Sequence, residues 1–469
     1  MLICVASLAF ASARAAGIPA QRLEVCPRHP YYFRDGGRHI LLLGISDRSL
    51  FAIWRNPKGA DWRAYLDALA DCDANYVRHN VLEWDDVLVA SRYPAQWTNL
   101  TWPFLRLGPG DAIDDKPRFD LTALDDSYFR DRVRPFIRHA AARGIYVELT
   151  LFDDVGARRF QRSLYTDRNN VNELGLSPHE ATSDAALRKP NVIAMQERYV
   201  DAVLRATHDF GNVIYEIANE TGGARWVEHF VDYIHHHPQH PGRLVSAGEQ
   251  NSDYDPRRGR CDIVVKHRGG KFVAYATDDD VLRHHDLLMK FRAGKPVTHN
   301  EFFLYANRST QDPDFVRKMM WGDFTAGGHA NFYDFSFWRG TGRTLDEGEP
   351  SRPWPTAITN GVAYLKKFLE DTGLPFWEMQ PRPGITQSNG SIVLPLVAET
   401  SHFLYYVLGS APTRVRVSLP PGRFRARWYD PKVGEWIAEQ AIEGSQAVSL
   451  QAPEFRDDAV LYVSAIPAD

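Results

Sequence analysis

The chain is poor in cysteine, with 4 in 469 residues. Cys4, Cys26, Cys72 and Cys261 lie far apart and show no CxxC spacing. That excludes a disulfide framework and a cysteine zinc site. One disulfide among the last three stays open, since spacing alone does not select a pair. An excess of one charge is also missing: 55 Lys and Arg stand against 59 Asp and Glu, a net charge of -4. No basic excess points to nucleic acid. Beyond the N-terminus no stretch approaches the roughly 18 uninterrupted apolar residues of a spanning helix, so no membrane segment is expected. No HExxH, P-loop or GxGxxG motif indicates a metal or nucleotide enzyme, and no Gly-x-Ser-x-Gly elbow indicates an esterase. No cofactor and no metal are expected. Internal repeats and low-complexity tracts are absent.

What the chain has is a globular composition, 44% hydrophobic and 24% charged, with an aromatic share of 12%. The 12 Trp and 20 Tyr are flat amphipathic rings of the kind that line sites for sugars. Met1–Ala16 is a short apolar run ending in small residues, and Ala13-Arg14-Ala15 fits a signal-peptidase site. The expectation is a leader over 1–16 and a secreted or periplasmic protein.

From residue 40 onward, apolar strand-like runs alternate with helix-like stretches. The candidate strands are Leu41–Ser46, Tyr76–Leu82, Ile145–Phe152, Val213–Asn219, Leu244–Gly248, Ile263–His267, Pro296–Phe302 and Ala330–Phe337. Amphipathic segments lie between them, among them Asp61–Cys72, Tyr128–Arg143, Val192–Thr207, Trp226–His236, Val281–Ala293 and Phe315–Thr325, with Ile358–Asp371 after the last strand. The stretch between the fifth and sixth strands is short for a full helix. Eight such units predict an α/β fold, a closed (β/α)8 TIM barrel over 38–373, with strands buried on both faces. Long segments follow the second, third and eighth strands, namely Glu83–Asp126, Asp153–Pro190 and Trp338–Thr356. They carry Trp84, Trp97, Trp102, Trp338 and Trp354 to the face where barrel enzymes work. Each Trp could line a cleft or simply pack its loop.

After Gly373 the helical period stops. Short alternating runs follow at Gly390–Ala398, His402–Leu408, Arg414–Leu419, Arg423–Tyr429 and Ala459–Val463, separated by turn signals such as Ser388-Asn389-Gly390 and Pro420-Pro421-Gly422. They predict a small antiparallel β-sandwich over 374–469, joined through Gly373–Pro383. Length alone, at about 150 residues per domain, would suggest three domains. The pattern reads as two.

Two strand ends carry the chemistry. Asn212-Val213-Ile214-Tyr215-Glu216-Ile217-Ala218-Asn219-Glu220 is an apolar strand ending in Asn-Glu, and Pro296-Val297-Thr298-His299-Asn300-Glu301-Phe302 again ends in a carboxylate. The fourth and seventh strands thus each present one Glu at the same face. Two carboxylates at one barrel mouth are what glycosidic cleavage needs: one protonated for the leaving oxygen, one ionised to attack or to activate water. Glu83, Asp153, Asp154, Asp334 and Glu249 also lie near strand ends, and Glu249 is the main rival nucleophile. Glu148, inside the third strand, reads as a barrel-lining or bracing residue.

These residues resemble the clan A glycoside hydrolases, retaining (β/α)8 enzymes with the acid/base on the fourth strand and the nucleophile on the seventh. The resemblance covers roughly 38 to 465. It implies Glu220 as acid/base, Glu301 as nucleophile, and Arg78, in Asn75-Tyr76-Val77-Arg78, as the brace of the nucleophile. It implies further that Asn219 binds the sugar hydroxyl next to the anomeric carbon, that His267 lies near the nucleophile, and that Trp338 stacks on sugar. Trp428-Tyr429-Asp430-Pro431, with Gly434, Trp436 and the closing Asp458-Ala459-Val460-Leu461-Tyr462, looks like the collagen-binding-type β-domain that trails apiosidase-like hydrolases. The implied function is double-displacement hydrolysis of plant or bacterial polysaccharide, tilted towards exo action on terminal or side-chain pentosides or furanosides. The expected partner is an oligo- or polysaccharide. Thr298-His299-Asn300 departs from many relatives and leaves the subgroup open. A non-catalytic carbohydrate-binding barrel is the alternative, and intact Glu220 and Glu301 argue against it.

His235-His236-His237 with His240 invites a metal reading. Adjacent residues on a helix point apart, so a solvated helix end fits better, and histidine there suits the helix dipole.

Overall fold

The computed structural model describes residues 22–47, 62–82, 102–153, 161–248, 253–267, 277–302, 313–334, 356–384, 387–445 and 447–467. The leader at 1–16, Glu83, Trp84, Trp97, Asp154, Glu249, Trp338 and Trp354 lie outside the described residues.

Eight parallel strands close into a barrel. In chain order they are Leu43–Asp47, Tyr76–Asn80, Tyr146–Asp153, Val213–Asn219, Val245–Gly248, Ile263–Lys266, Val297–Phe302 and His329–Asp334. The third and fourth are buried along their whole length, since the barrel interior covers one face and helices the other. Helices Pro190–Thr207 and Ala224–His235 lie over this pair. Phe152, Tyr199, Trp226 and Phe230 interlock there in edge-to-face contacts, with Phe152 and Trp226 ring centres 5.1 Å apart. Gln196 accepts from the Trp226 indole at 3.0 Å, so the ring stays buried with its one donor satisfied. Among the described residues no helix lies between the fifth and sixth strands, as the short segment there implies.

Residues 23–40 form a three-stranded antiparallel sheet. Its Leu23, Phe33 and Ile40 pack with Leu42, Tyr76, Tyr146, Ile214 and Ile263. Most of these stand at the N-terminal ends of barrel strands, so the small sheet closes the barrel floor. The sequence reading starts the barrel at 38 and does not anticipate this floor.

The long segment after the second strand contains a hairpin, Phe104–Asp111 with Pro117–Leu124. Trp102 is 6% exposed and meets Phe119 edge-to-face at 5.2 Å, so this tryptophan packs the hairpin down rather than lining a cleft.

The C-terminal segment builds two antiparallel sheets. One has six strands: Gln380–Pro381, Ile392–Ala398, His402–Leu408, Asp458–Ala465, Arg423–Asp430 and Glu435–Glu443. The other has three: Gln387–Ser388, Arg414–Val417 and Val448–Gln451. The strand His402–Leu408 shows why the chain there is apolar at consecutive positions. Phe403, Tyr405 and Val407 face the small sheet, with Val415, Val417 and Leu450. Leu404, Tyr406 and Leu408 face the barrel, in one continuous core with Trp321 and Phe368. A period of two with both faces buried leaves no polar alternate.

Helices Pro313–Thr325 and Thr356–Thr372 supply the barrel side of that contact. The Trp321 ring stacks on Tyr406 with 5.8 Å between centres, and Phe368 meets Tyr429 at 5.2 Å. At the edge of this apolar contact Arg317 donates to both oxygens of Asp458, at 3.1 and 2.5 Å, and Tyr406 donates to Asp458 at 2.8 Å. The helix leading out of the barrel stops at Gly373, whose φ of +59° gives the left-handed cap that glycine supplies without strain. Cys26, Cys72 and Cys261 are free thiols and all buried, so the disulfide left open above is not formed.

Candidate active site

The second strand sets the site by simple alternation. Tyr76, Arg78 and Asn80 point to the barrel axis, while His79 faces outward and stacks on Phe136 at 5.1 Å. Each inward residue finds an acid. Tyr76 donates to Glu148 at 2.5 Å, Arg78 binds Glu216, and Asn80 donates to Asp153 at 2.9 Å. The barrel of this fold class is ordinarily filled with branched aliphatics. Here the upper interior is polar instead, with Ser46, Arg78, Glu148, Thr150, Glu216, Ser246, Asn300 and Asn331 all buried.

Arg78 and Glu216 form a bidentate pair. Nε lies 2.7 Å from one carboxylate oxygen and Nη2 3.0 Å from the other, with both side chains 1% exposed. Thr150 adds a hydroxyl donor to Glu216. The same Arg78 Nη2 donates to Asn219 Oδ1 at 2.7 Å, and Asn219 in turn donates to Asp153 at 3.2 Å. Asn219 is thus held from both ends by charged groups. An amide clamped in this way presents its remaining lone pair and proton in one direction, as a substrate-orienting group must.

Glu220 follows directly, at the rim. Its φ is +53°, a left-handed backbone that a residue with a Cβ adopts at a cost of about 1–3 kcal/mol. Such strain is stored where surrounding structure over-determines it, and sites of chemistry are the usual place. Gly222 and Gly223 then let the chain pass close to Val227 and Asp184, where a Cβ would come within 2.5 and 2.4 Å. Glu220 keeps 22% of its side chain exposed and so opens to the barrel mouth. His267, just past the sixth strand, puts Nδ1 3.5 Å from Glu220 and Nε2 4.0 Å from Glu216.

Glu301 is the penultimate residue of the seventh strand, so its backbone reaches the same rim. Its side chain lies outside what the structure describes. The pairing with the eighth strand is irregular here: His299 meets Ala330 and Phe302 meets Phe332, so three steps on one strand match two on the other. A bulge of this kind breaks strict alternation at Asn300 and Glu301 and is a common device next to active sites. Asn300 sits at the barrel interior, where it donates to Glu148 and lies 3.1 Å from the Tyr76 hydroxyl.

The electrostatics of this layer follow from burial. Glu148 has its carboxyl pushed up to about 6, first by burial and then by the negative Glu216, against the pull of Arg78. Burial and Glu148 together push the Tyr76 phenol well above its usual range.

Of the six residues expected from sequence, Arg78, Asn219, Glu220 and His267 come together at one end of the barrel. Glu301 joins them by backbone position, and Trp338 lies outside the described residues. Glu216 escaped the sequence reading as a site residue. The signal was there: a carboxylate in mid-strand among apolar neighbours needs a buried cation, and Arg78 is the matching cation in another apolar strand. Asp153 and Asn80 were missed as the second support of Asn219.

The histidine cluster resolves into separate roles. His235 meets Asp262 at 2.8 Å, His237 meets Asp201 at 3.0 Å, and His236 faces solvent. The His237 ring stacks on His240.

No family model and no curated protein matches the chain. Solved structures do. A glycoside hydrolase family 5 protein from Bacteroides vulgatus superposes with a TM-score of 0.64 at 15% identity, covering 96% of this chain and 95% of that one. A second structure, described only as a glycoside hydrolase, gives 0.64 at 15% identity, over 97% and 100%. A family 5 mannosidase mutant from Rhizomucor miehei in complex with mannosyl-fructose gives 0.50 at 13% identity, over 76% and 99%. At these identities the likeness establishes the fold: a closed (β/α)8 barrel with a separate antiparallel sheet domain.

Proposed function

We propose that the protein is a retaining glycoside hydrolase in which Glu301 is the nucleophile and Glu220 the acid/base. The observation that carries this is the placing of two glutamates at the ends of the fourth and seventh strands of one barrel, the first held at a left-handed backbone beside Asn219 and His267. The glycoside hydrolases of the same fold support it, as does the clan A pattern of the sequence.

In the first step the Glu301 carboxylate attacks the anomeric carbon while Glu220 gives its proton to the departing glycosidic oxygen. The carbon–oxygen bond breaks and a glycosyl ester forms. In the second step Glu220 takes a proton from water, the water oxygen attacks the same carbon, and Glu301 leaves as carboxylate. Asn219, fixed by Arg78 and Asp153, would hold the neighbouring sugar hydroxyl. His267 lies close enough to Glu220 to orient its carboxyl. The substrate class implied by the sequence is a terminal or side-chain pentoside or furanoside of plant or bacterial polysaccharide, bound as an oligo- or polysaccharide.

A panel of aryl glycosides, with pentosides, furanosides and mannosides as separate arms, tests the substrate. Glu301→Gly with azide tests the mechanism: a glycosyl azide of retained anomeric configuration is expected. Unchanged hydrolysis by Glu301→Gly, or an inverted first product in the wild type, overturns it. Hydrolysis of mannosides alone would keep the mechanism and replace the sugar. Binding of oligosaccharide without turnover on any arm would leave the carbohydrate-binding reading.

A further inference from the structure

Both strands that carry a proposed catalytic glutamate have the same pair at their C-terminal ends, Asn219-Glu220 at the edge of the fourth and Asn300-Glu301 just before the last residue of the seventh. In each pair a buried charged residue grips the asparagine. Arg78 does so for Asn219, and that arrangement belongs to the site already described. For Asn300 the grip is Glu148, and nothing in the reaction so far uses it.

Glu148 is fully buried, and three other strands converge on it. Tyr76 from the second strand donates to Oε2 at 2.5 Å, Ser246 from the fifth donates to Oε1 at 2.5 Å, and Asn300 from the seventh donates to Oε2 through its amide. Tyr76 also lies 3.1 Å from Asn300 Oδ1, so the phenol touches the amide as well as the carboxylate that grips it. The charged groups around Glu148 are Arg78 of the second strand and Glu216 of the fourth. A carboxylate here is expensive, because burial strips its water and a barrel interior normally takes aliphatic side chains. Packing alone would be better served by leucine. The position of the anchor explains the choice: Asn300 lies within the irregular stretch of the seventh strand, between His299 and Phe302.

We propose that Glu148 is a positioning residue for the seventh-strand nucleophile, acting through Asn300. By gripping the asparagine it fixes the bulge, and the bulge fixes where Glu301 leaves the strand. This rests on the reading of Glu301 as nucleophile. A displacement of about 1 Å at a reacting group is enough to lower a rate on the order of 100-fold.

The test is a comparison of Glu148→Leu and Glu148→Gln. Glutamine keeps an oxygen to accept from Tyr76 and Asn300 and an amide to meet Ser246, so it preserves the grip. Leucine fills the space and releases Asn300. Expected for leucine is a kcat lowered on the order of 30- to 100-fold, with KM within about threefold of wild type. Glutamine should restore kcat to within about fivefold. Asn300→Ala should resemble leucine, and adding it to Glu148→Leu should cost little more, since both remove one contact. Amide hydrogen exchange over Val297–Phe302, which needs no substrate, should quicken in Glu148→Leu and return to wild type in Glu148→Gln. Unchanged exchange in the leucine variant, additive losses, or a change confined to KM would each overturn the proposal. Should the wild type hydrolyse no glycoside, the catalytic reading fails first, while the exchange measurement still decides whether Glu148 anchors the strand.

Discussion

The Arg78–Glu216 pair offers the sharpest prediction. Glu216→Gln keeps the shape of the side chain and one acceptor but removes the charge. Arg78 would then sit 2% exposed, without the carboxylate that meets it at 2.7 and 3.0 Å. Breaking a buried pair from one side costs about 3–5 kcal/mol, because the remaining charge stays desolvated. Asn219 Oδ1 still accepts from Arg78, so the lower end, about 3 kcal/mol, is expected. At about 2.1 cal/mol/K per residue, a chain of 469 residues unfolding as one unit has an unfolding entropy on the order of 1 kcal/mol/K. The melting temperature should therefore fall by about 3 °C. Urea unfolding measures the free energy directly. The double variant Arg78→Met with Glu216→Leu removes both charges and should recover most of the stability, since an apolar replacement of a buried pair is often neutral. Activity should not return with it, because Asn219 has lost its donor. A Glu216→Gln variant within 1 kcal/mol of wild type, or a double variant no more stable than the single, would refute the idea that this interior is held by mutual charge compensation.

Three further outcomes follow from named contacts. Glu148 binds its proton more tightly in the folded chain than in the unfolded one, about 6 against 4.5. Its contribution is therefore complete below about pH 4.5 and lost as pH rises through about 6, a loss on the order of 2 kcal/mol. Subtracting the urea stability of Glu148→Gln from that of wild type at pH 4, 5, 6 and 7 should give a falling curve, and a rising one would refute the assignment. Asp458→Ala removes the carboxylate that Arg317 and Tyr406 share beneath the C-terminal sheet; Asp314 still meets Arg317, so the cost should be about 3 kcal/mol, the lower end for a broken buried pair, with one cooperative transition kept; two separate transitions by calorimetry would show that the sheet and barrel unfold independently. Gly44→Ala would put a Cβ 2.1 Å from the Tyr76 carbonyl oxygen, and soluble yield should collapse, because backbone between two barrel strands has nowhere to move.

The barrel was legible because its strands are short apolar runs at regular spacing, and the eight runs read from sequence fall on the eight strands observed. Other elements lacked that signal. Glu435–Glu443 is an edge strand with most of its residues partly or fully exposed. Its apolar residues, Trp436, Ile437, Ala438, Ala441 and Ile442, follow no period of two, so no strand is read there from sequence. The N-terminal strands are three residues each, too short for any period to register, and only their packing on the barrel floor gives them form. Among site residues, Glu220 and Asn219 were visible as polar residues ending an apolar strand. Glu216 was hidden by the same logic, since a mid-strand acid carries no positional mark until its cation is found on another strand. Periodicity locates residues along one chain segment. It does not say which segments face each other across a barrel.

The helix Pro313–Thr325 shows why the C-terminal sheet belongs in an account of the site. It follows the seventh strand and is buried on nearly every side. One face gives Arg317 and Trp321, spaced four residues apart, to Asp458 and Tyr406 of the sheet. Another gives Asp323 to His299 at 2.8 Å, both side chains 1% exposed. Burial pushes the Asp323 carboxyl up, and the nearby imidazole draws it back. His299 stands one residue before Asn300, on the outward face of the same bulge that Glu148 grips from within. The seventh strand is thus held on both sides at the point where Glu301 leaves it: inside by the polar layer, outside by a helix that is itself fixed to the trailing sheet. A small β-domain that only decorated the surface would need no buried arginine pair and no aromatic core shared with the barrel. Its contacts fit a buttress for the seventh strand, on which the proposed nucleophile sits.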